Sequence, residues 1–265
     1  MHLVAVHNWQ EEEAEVAKTI AEAMGTVVFE ARQKISGGGP AVLASFAELQ
    51  RAQALAERLS QAGVPALLID TAAVRSRNQP IRACHFVLGP QALQIKTFAG
   101  ELFVVDYGAI ELLLVAICTA GQTQTTTTET ERKFSLGKTL LAGGVPMTKK
   151  VQSEKIVNVE ERDEALWLYT REGTVVIFNR GAMNYDGLGD AMQFTRDLNF
   201  AHLKNQLRSL ASQAGYDDRL LKRATMIRLL GPALNPETDF DLAFEILARS
   251  LREKDLSSSG NDLKL

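Results

Sequence analysis

The sequence predicts an α+β fold in two parts: a small module in which strands and helices alternate, then a β-rich module closed by a helix. Two patterns predict it. From the N-terminus to Asp70, apolar side chains recur at i, i+3, i+4 and i+7 in segments separated by short extended runs, the mark of amphipathic helices packed on strands. From about residue 81 to 178 the helical period disappears, and short β-rich segments follow one another with turn residues between them.

In the first part, residues 2–9 alternate as a strand. Glu11, Glu12 and Glu13 then suit the positive end of a helix dipole. The helix carries Ala17, Ile20, Ala21 and Met24 on one face and stops at Gly25. A second short helix fits residues 29–35, ended by Gly37-Gly38-Gly39-Pro40, and an extended run reaches Phe46. Ala52, Leu55, Ala56 and Leu59 define a helix over 48–62, which ends at Gly63 and leads to a strand at 66–69. Polar residues and Pro80 make 73–81 a linker.

In the second part, strands are expected at 85–88, 93–98, 102–107, 112–118, 166–170 and 174–178, with one more at 155–159. Gly89-Pro90, Ala99-Gly100 and Arg171-Glu172-Gly173 supply turns. Leu203, Leu207 and Leu210 form the stripe of a helix over 198–210. Residues 119–150, rich in threonine and glycine, read as a long loop inserted into this 82–214 module. A helical extension is expected over 215–256, with Asp217-Asp218 as a helix start and a main helix at 238–251. A polar, disordered tail follows at 257–265.

The order strand, helix, helix, strand, helix, strand over residues 1–72, with Glu30-Ala31-Arg32 before the glycine-rich stop and Gln61-Ala62-Gly63 ending the third helix, resembles the C-terminal domain of the bacterial ribosomal stalk protein. The adaptor of the Clp protease shares that fold. The resemblance implies a βααβαβ domain that presents a helical face to another protein. Of the lysines with which the stalk domain meets translation factors, the chain keeps only Lys18. Of the adaptor's Asn-Asp-Asp turn it keeps Asn8, followed by Trp9-Gln10. The second part, with its strand corner at Val104-Val105-Asp106-Tyr107-Gly108-Ala109-Ile110, is similar in topology to a pleckstrin-homology-like β-barrel.

Composition narrows the chemistry. The formal charge is −3 and evenly spread: 7 basic against 9 acidic residues in 1–80, 11 against 11 in 81–180, and 11 against 12 in 181–265. Nucleic-acid binders carry a positive excess for phosphate contacts, so nucleic acid is not an expected partner. The N-terminal residues read as a strand rather than a basic, apolar leader, and the apolar run 112–118 is too short to cross a bilayer, so the expected location is cytoplasmic. Cys84 and Cys118 stand alone and read as buried thiols.

No motif points to catalysis. Leu136-Gly137-Lys138-Thr139 ends like a phosphate-binding loop, but Arg132 occupies the position of its first glycine. Asn184, Asp186, Gly187, Gly189 and Asp190 have the composition of a calcium loop without its spacing and read as a turn. His2, His7, His85 and His202 never fall at metal-ligand spacing, and no nucleophile elbow is present. Trp167 reads as a packing residue. Trp9, at a strand-to-helix junction, is a candidate contact residue.

One cluster is chemically distinctive. Between residues 132 and 155, Arg132, Lys133, Lys138, Lys149, Lys150 and Lys155 face a single acid, Glu154. The expected role is a non-catalytic protein-interaction or adaptor protein without cofactor or metal, its partner another protein. The alternative is weak recruitment to an anionic membrane surface through Arg132, Lys133, Lys138, Lys149 and Lys150, each basic residue adding about 1 kcal/mol.

Overall fold

In the computed structural model, residues 1–9, 13–76, 80–134 and 148–259 are described, with side chains for all of these except 119–134, 148–162 and 255–259. The elements of the N-terminal part are β1 (His2–Val6), α1 (Glu13–Met24), α2 (Val28–Ile35), β2 (Ala41–Phe46), α3 (Leu49–Gln61) and β3 (Ala66–Asp70). β1 is central, antiparallel to both β2 and β3. Its alternation buries both faces. Val4 and Val6 join Val16, Ile20, Leu55 and Leu59 of the helices, while Leu3 and Ala5 enter a different core on the other side.

The stretch expected as a linker is helical at its start: α4 (Thr71–Ser76) follows β3 directly. The Asp70 carboxylate accepts from Ala72 N–H at 3.0 Å, and Thr71 donates through both N–H and Oγ1 to the Met1 carbonyl. The local Asp70 bond starts a helical turn where composition suggested none, and the Thr71 bonds tie that turn to the start of the chain.

The larger sheet holds β4 (Ile81–Leu88), β5 (Ala92–Thr97), β6 (Leu102–Asp106), β7 (Ile110–Phe134), β8 (Thr148–Thr170), β9 (Val175–Asn179) and β10 (Gly215–Leu220). Its order is β10-β7-β8-β9-β4-β5-β6. The fold is thus α+β, but among the described residues the sheet does not close into the expected barrel and has β10 and β6 at its edges. β9 pairs in parallel with β4, and β10 in parallel with β7, so the chain departs from a simple meander. Helices pack on both faces of β7 and β8, which buries those strands without closure.

The helices are α5 (Arg196–Leu210), α6 (Arg223–Leu230) and α7 (Phe240–Ser259). Thr195 caps α5, its side chain accepting from Leu198 N–H. Phe200, Leu203 and Leu207 of α5 pack on Leu113, Val115, Leu166 and Leu168 of the sheet. On the opposite face, Leu112, Leu114, Ala165 and Trp167 share one core with α6, with α7, and with Leu3, Ala5, Val42, Leu67 and Ile69 of the N-terminal sheet. Leu242, Ala243, Phe244, Ile246, Leu247 and Ala248 of α7 are all buried, as expected of a helix held between two sheets. Segments 1–72 and 82–214 therefore contribute to one core.

Three further expectations change. The stretch 119–150 belongs to β7 and β8 at both of its ends, while residues 135–147 lie outside the described residues. Threonine is β-branched and favours extended backbone, so Thr125 to Thr128 prolong a strand instead of breaking it. Residues 119–163 form a separate compact unit. Asp217 and Asp218 lie in β10, not at a helix start, so the 215–256 extension opens with a strand. Gly215 lets it approach β7, since a Cβ there would sit 3.1 Å from Leu112 Cδ1. Finally, α7 continues to Ser259, so residues 257–259 of the expected tail are helical, and 260–265 lie outside the described residues.

Candidate functional site

The sequence-predicted contact residues fall in two places. Trp9 is half-buried after β1 and packs against the helical core of the N-terminal part. Arg132 and Lys133 lie near the far end of β7 and Lys149 and Lys150 at the start of β8, with their backbone alone described; Lys138 lies outside the described residues. Arg171 N–H donates to the Ala109 carbonyl, so β8 ends where β7 begins.

The expected turn at Asn184 to Asp190 is a tight one. Asn184 Oδ1 accepts from Asp186 N–H at 2.7 Å, and a 3₁₀ turn runs over Asp186–Ala191. Among the described residues no group of three or more His, Cys, Asp or Glu is placed to hold a metal ion.

Two features emerge that the sequence did not single out. The first is the outer face of the β6 edge. β5 and β6 turn Leu93, Ile95 and Val105 into the core, so the alternate residues face outward. Leu102 is 75% exposed and Val104 69%, with Phe98 exposed in the preceding turn. Among the described residues β6 pairs on one side only, leaving main-chain groups along its other side.

The second is a cleft of about 430 Å³ between the large sheet and the layer formed by α4 and the start of α7. Trp167 and Tyr169 point to this side because Leu166 and Leu168 take the α5 side. The Trp167 ring stacks on Phe244 at 4.1 Å and meets Phe240 edge-on at 6.4 Å. The residue is 8% exposed, and its Nε1 is buried without a hydrogen-bond partner. An orphaned donor of this kind costs about 1–3 kcal/mol.

Asp241, in the first turn of α7, lines the same cleft. Its Oδ1 is also buried without a partner, while Oδ2 lies 3.8 Å from Arg75 Nε. Burial holds this carboxyl above the ordinary carboxylate range, outweighing the Leu242 N–H and the Arg75 guanidinium, which pull it down. The other cleft charges are mostly committed. Arg75 binds Asp239, Arg252 pairs with Glu111 at 2.7 Å and lies over the Tyr169 ring, and Glu245 accepts from Arg249 at 2.7 Å. Arg82 projects from β4 beside Ile177, exposed, with no ion pair among the described residues.

No sequence pattern marks the cleft, because its walls lie far apart in the chain, from Val74 to Arg252. The one local signal was the pair of aromatic residues at i and i+2, Trp167 and Tyr169, which must share a strand face.

Among the described residues no helix is long and apolar enough to cross a membrane. Comparison of the chain with protein-family models, with curated proteins and with solved structures finds no match.

Proposed function

We propose that this chain is a non-catalytic interaction protein that docks an extended segment of another protein along β6. The observation that carries this reading is the edge strand itself. Leu102 and Val104 are exposed on an edge whose outward main-chain groups have no strand beside them among the described residues. Edges of this kind are normally blunted by lysine, proline or a bulge, and Leu-Phe-Val-Val-Asp carries none of these. An added strand satisfies the main-chain groups and covers the apolar side chains together. So short a strand matches a linear segment better than a broad rigid surface. The resemblance of segment 1–72 to stalk and protease-adaptor domains points to the same class of role.

A photoreactive phenylalanine at Val104, with a control at the exposed Glu57 on α3, tests the reading in cells. The expected result is one discrete heterologous adduct from position 104, absent from position 57 and lost in Leu102→Asp. With the purified pair, hydrogen exchange should slow at the β6 amides. Adducts made only of two copies of this chain, or none, overturn it.

A second reading, weak recruitment to an anionic membrane surface, is supported by the strand positions of Arg132 and Lys133 on β7 and Lys149 and Lys150 on β8. Sedimentation with phosphatidylserine vesicles that weakens with salt and disappears in Lys149→Glu/Lys150→Glu supports it. Indifference to lipid charge removes it.

A further inference from the structure

We infer that the cleft between Trp167, Tyr169, Arg75, Arg82 and Asp241 binds a small aromatic carboxylate that also carries a hydroxyl or amino donor. Its volume of about 430 Å³ falls within the usual range of about 300–1,000 Å³ for small-molecule sites. The lining combines aromatic and aliphatic surface with a few polar groups, and the state of each polar group defines a complementary ligand.

Three groups are uncommitted, and each asks for something different. Trp167 Nε1–H, buried and unpartnered, requires an acceptor. Asp241 Oδ1, likewise buried and unpartnered, requires a donor. Arg82, alone among the cleft arginines in having no ion pair among the described residues, suits an anion, and its planar guanidinium matches a carboxylate. Between them lie Tyr169, Phe240, Val175 and Ile177, a surface for a flat apolar ring. An aliphatic acid would leave the aromatic wall uncovered, a neutral arene would leave Arg82 unused, and a simple aromatic acid would leave Asp241 without its donor.

The test uses the intact chain and the indole N–H resonances of its two tryptophans, assigned with Trp167→Phe. The probes are 4-hydroxyphenylacetate, 2-aminobenzoate and L-tyrosine. Phenylacetate lacks the donor, and methyl 4-hydroxyphenylacetate lacks the anion. The expected result is a saturable shift of the Trp167 indole with at least one of the three probes, while Trp9 stays in place. Both comparison compounds should bind more weakly. Arg82→Gln, an exposed change that leaves the core intact, should weaken binding about tenfold or more, as should Asp241→Asn. If none of the three probes moves the Trp167 resonance up to millimolar concentration, the inference fails. It fails equally if binding saturates but Arg82→Gln and Asp241→Asn leave it unchanged, because the ring alone would then account for it.

Discussion

The rings of Trp167 on β8 and Phe244 on α7 lie 4.1 Å apart and within 16° of parallel, tying the large sheet to the helix that also covers the N-terminal sheet. Phe244 has no exposed surface. Its replacement by alanine should cost about 3–5 kcal/mol, through lost burial and the cavity left beneath the indole. Phe244→Leu should cost markedly less, because it returns most of the volume. Urea denaturation of the two variants checks the order.

The two tryptophans sit on opposite parts of the chain, which tests whether the shared core unfolds as a unit. Leu3, Ala5, Leu67 and Ile69 share their core with α6 and α7, so segment 1–72 cannot lose those helices without exposing that face. In each single-tryptophan variant, Trp9→Phe and Trp167→Phe, the fluorescence of the remaining indole and the far-ultraviolet circular dichroism should therefore give one coincident denaturation midpoint. An earlier, separate transition seen by Trp9 would show that the N-terminal part is an independent domain.

His7 makes stability fall on acidification. It is buried at the end of β1 with Nε2 3.1 Å from Glu253 Oε2. Burial lowers its pKa below the ordinary 6.5, outweighing the upward pull of Glu253. The unfolded chain thus takes up the proton first. The contribution of neutral His7 is complete above about pH 6.5 and is lost as pH falls toward the lower folded value. His7→Gln should flatten the dependence of unfolding free energy on pH between about 7 and 5, measured against the parent chain.

Asp241 titrates with the opposite sign. Its raised folded pKa means the half-buried carboxylate opposes folding at neutral pH, and protonation relieves this as pH falls toward the ordinary value of 3.8. Asp241→Asn should therefore compare best with the parent at pH 7 and lose ground steadily on acidification. Parallel denaturant titrations at several pH values check the slope.

Gly187 shows where side-chain size is excluded by close backbone approach. A Cβ there would lie 1.8 Å from the Phe86 carbonyl oxygen, whereas at Gly108 it would meet nothing within 4 Å. Gly187→Ala should destabilise by about 1–3 kcal/mol or more by forcing the 3₁₀ turn off β4, and Gly108→Ala should be close to neutral. Thermal unfolding separates them.

Much of the N-terminal part was legible because each element carried its own period. Ala17, Ile20 and Ala21 mark one face of α1, and Ala52, Leu55 and Leu59 one face of α3, and these are the residues buried. β10 was not legible. Gly-Tyr-Asp-Asp-Arg-Leu has little strand propensity of its own and is extended because β7 pairs with it. From sequence alone the run 112–118 shows only a strand too short for a membrane. Its continuity reflects burial on both faces, with Leu112 and Leu114 in one core and Leu113 and Val115 in the other.

The sequence by itself determined which segments are helical between Met1 and Asp70, the mixed α+β class, and the basic cluster between positions 132 and 155. Those features are local, set by the period of side chains a few positions apart. Tertiary structure alone decided that the large sheet does not close among the described residues, that both sheets share one core around α7, and that Arg82, Trp167 and Asp241 line one cleft. Strand pairing and burial between residues far apart in the chain depend on packing free energy summed over the whole molecule, and no short window of sequence carries that sum.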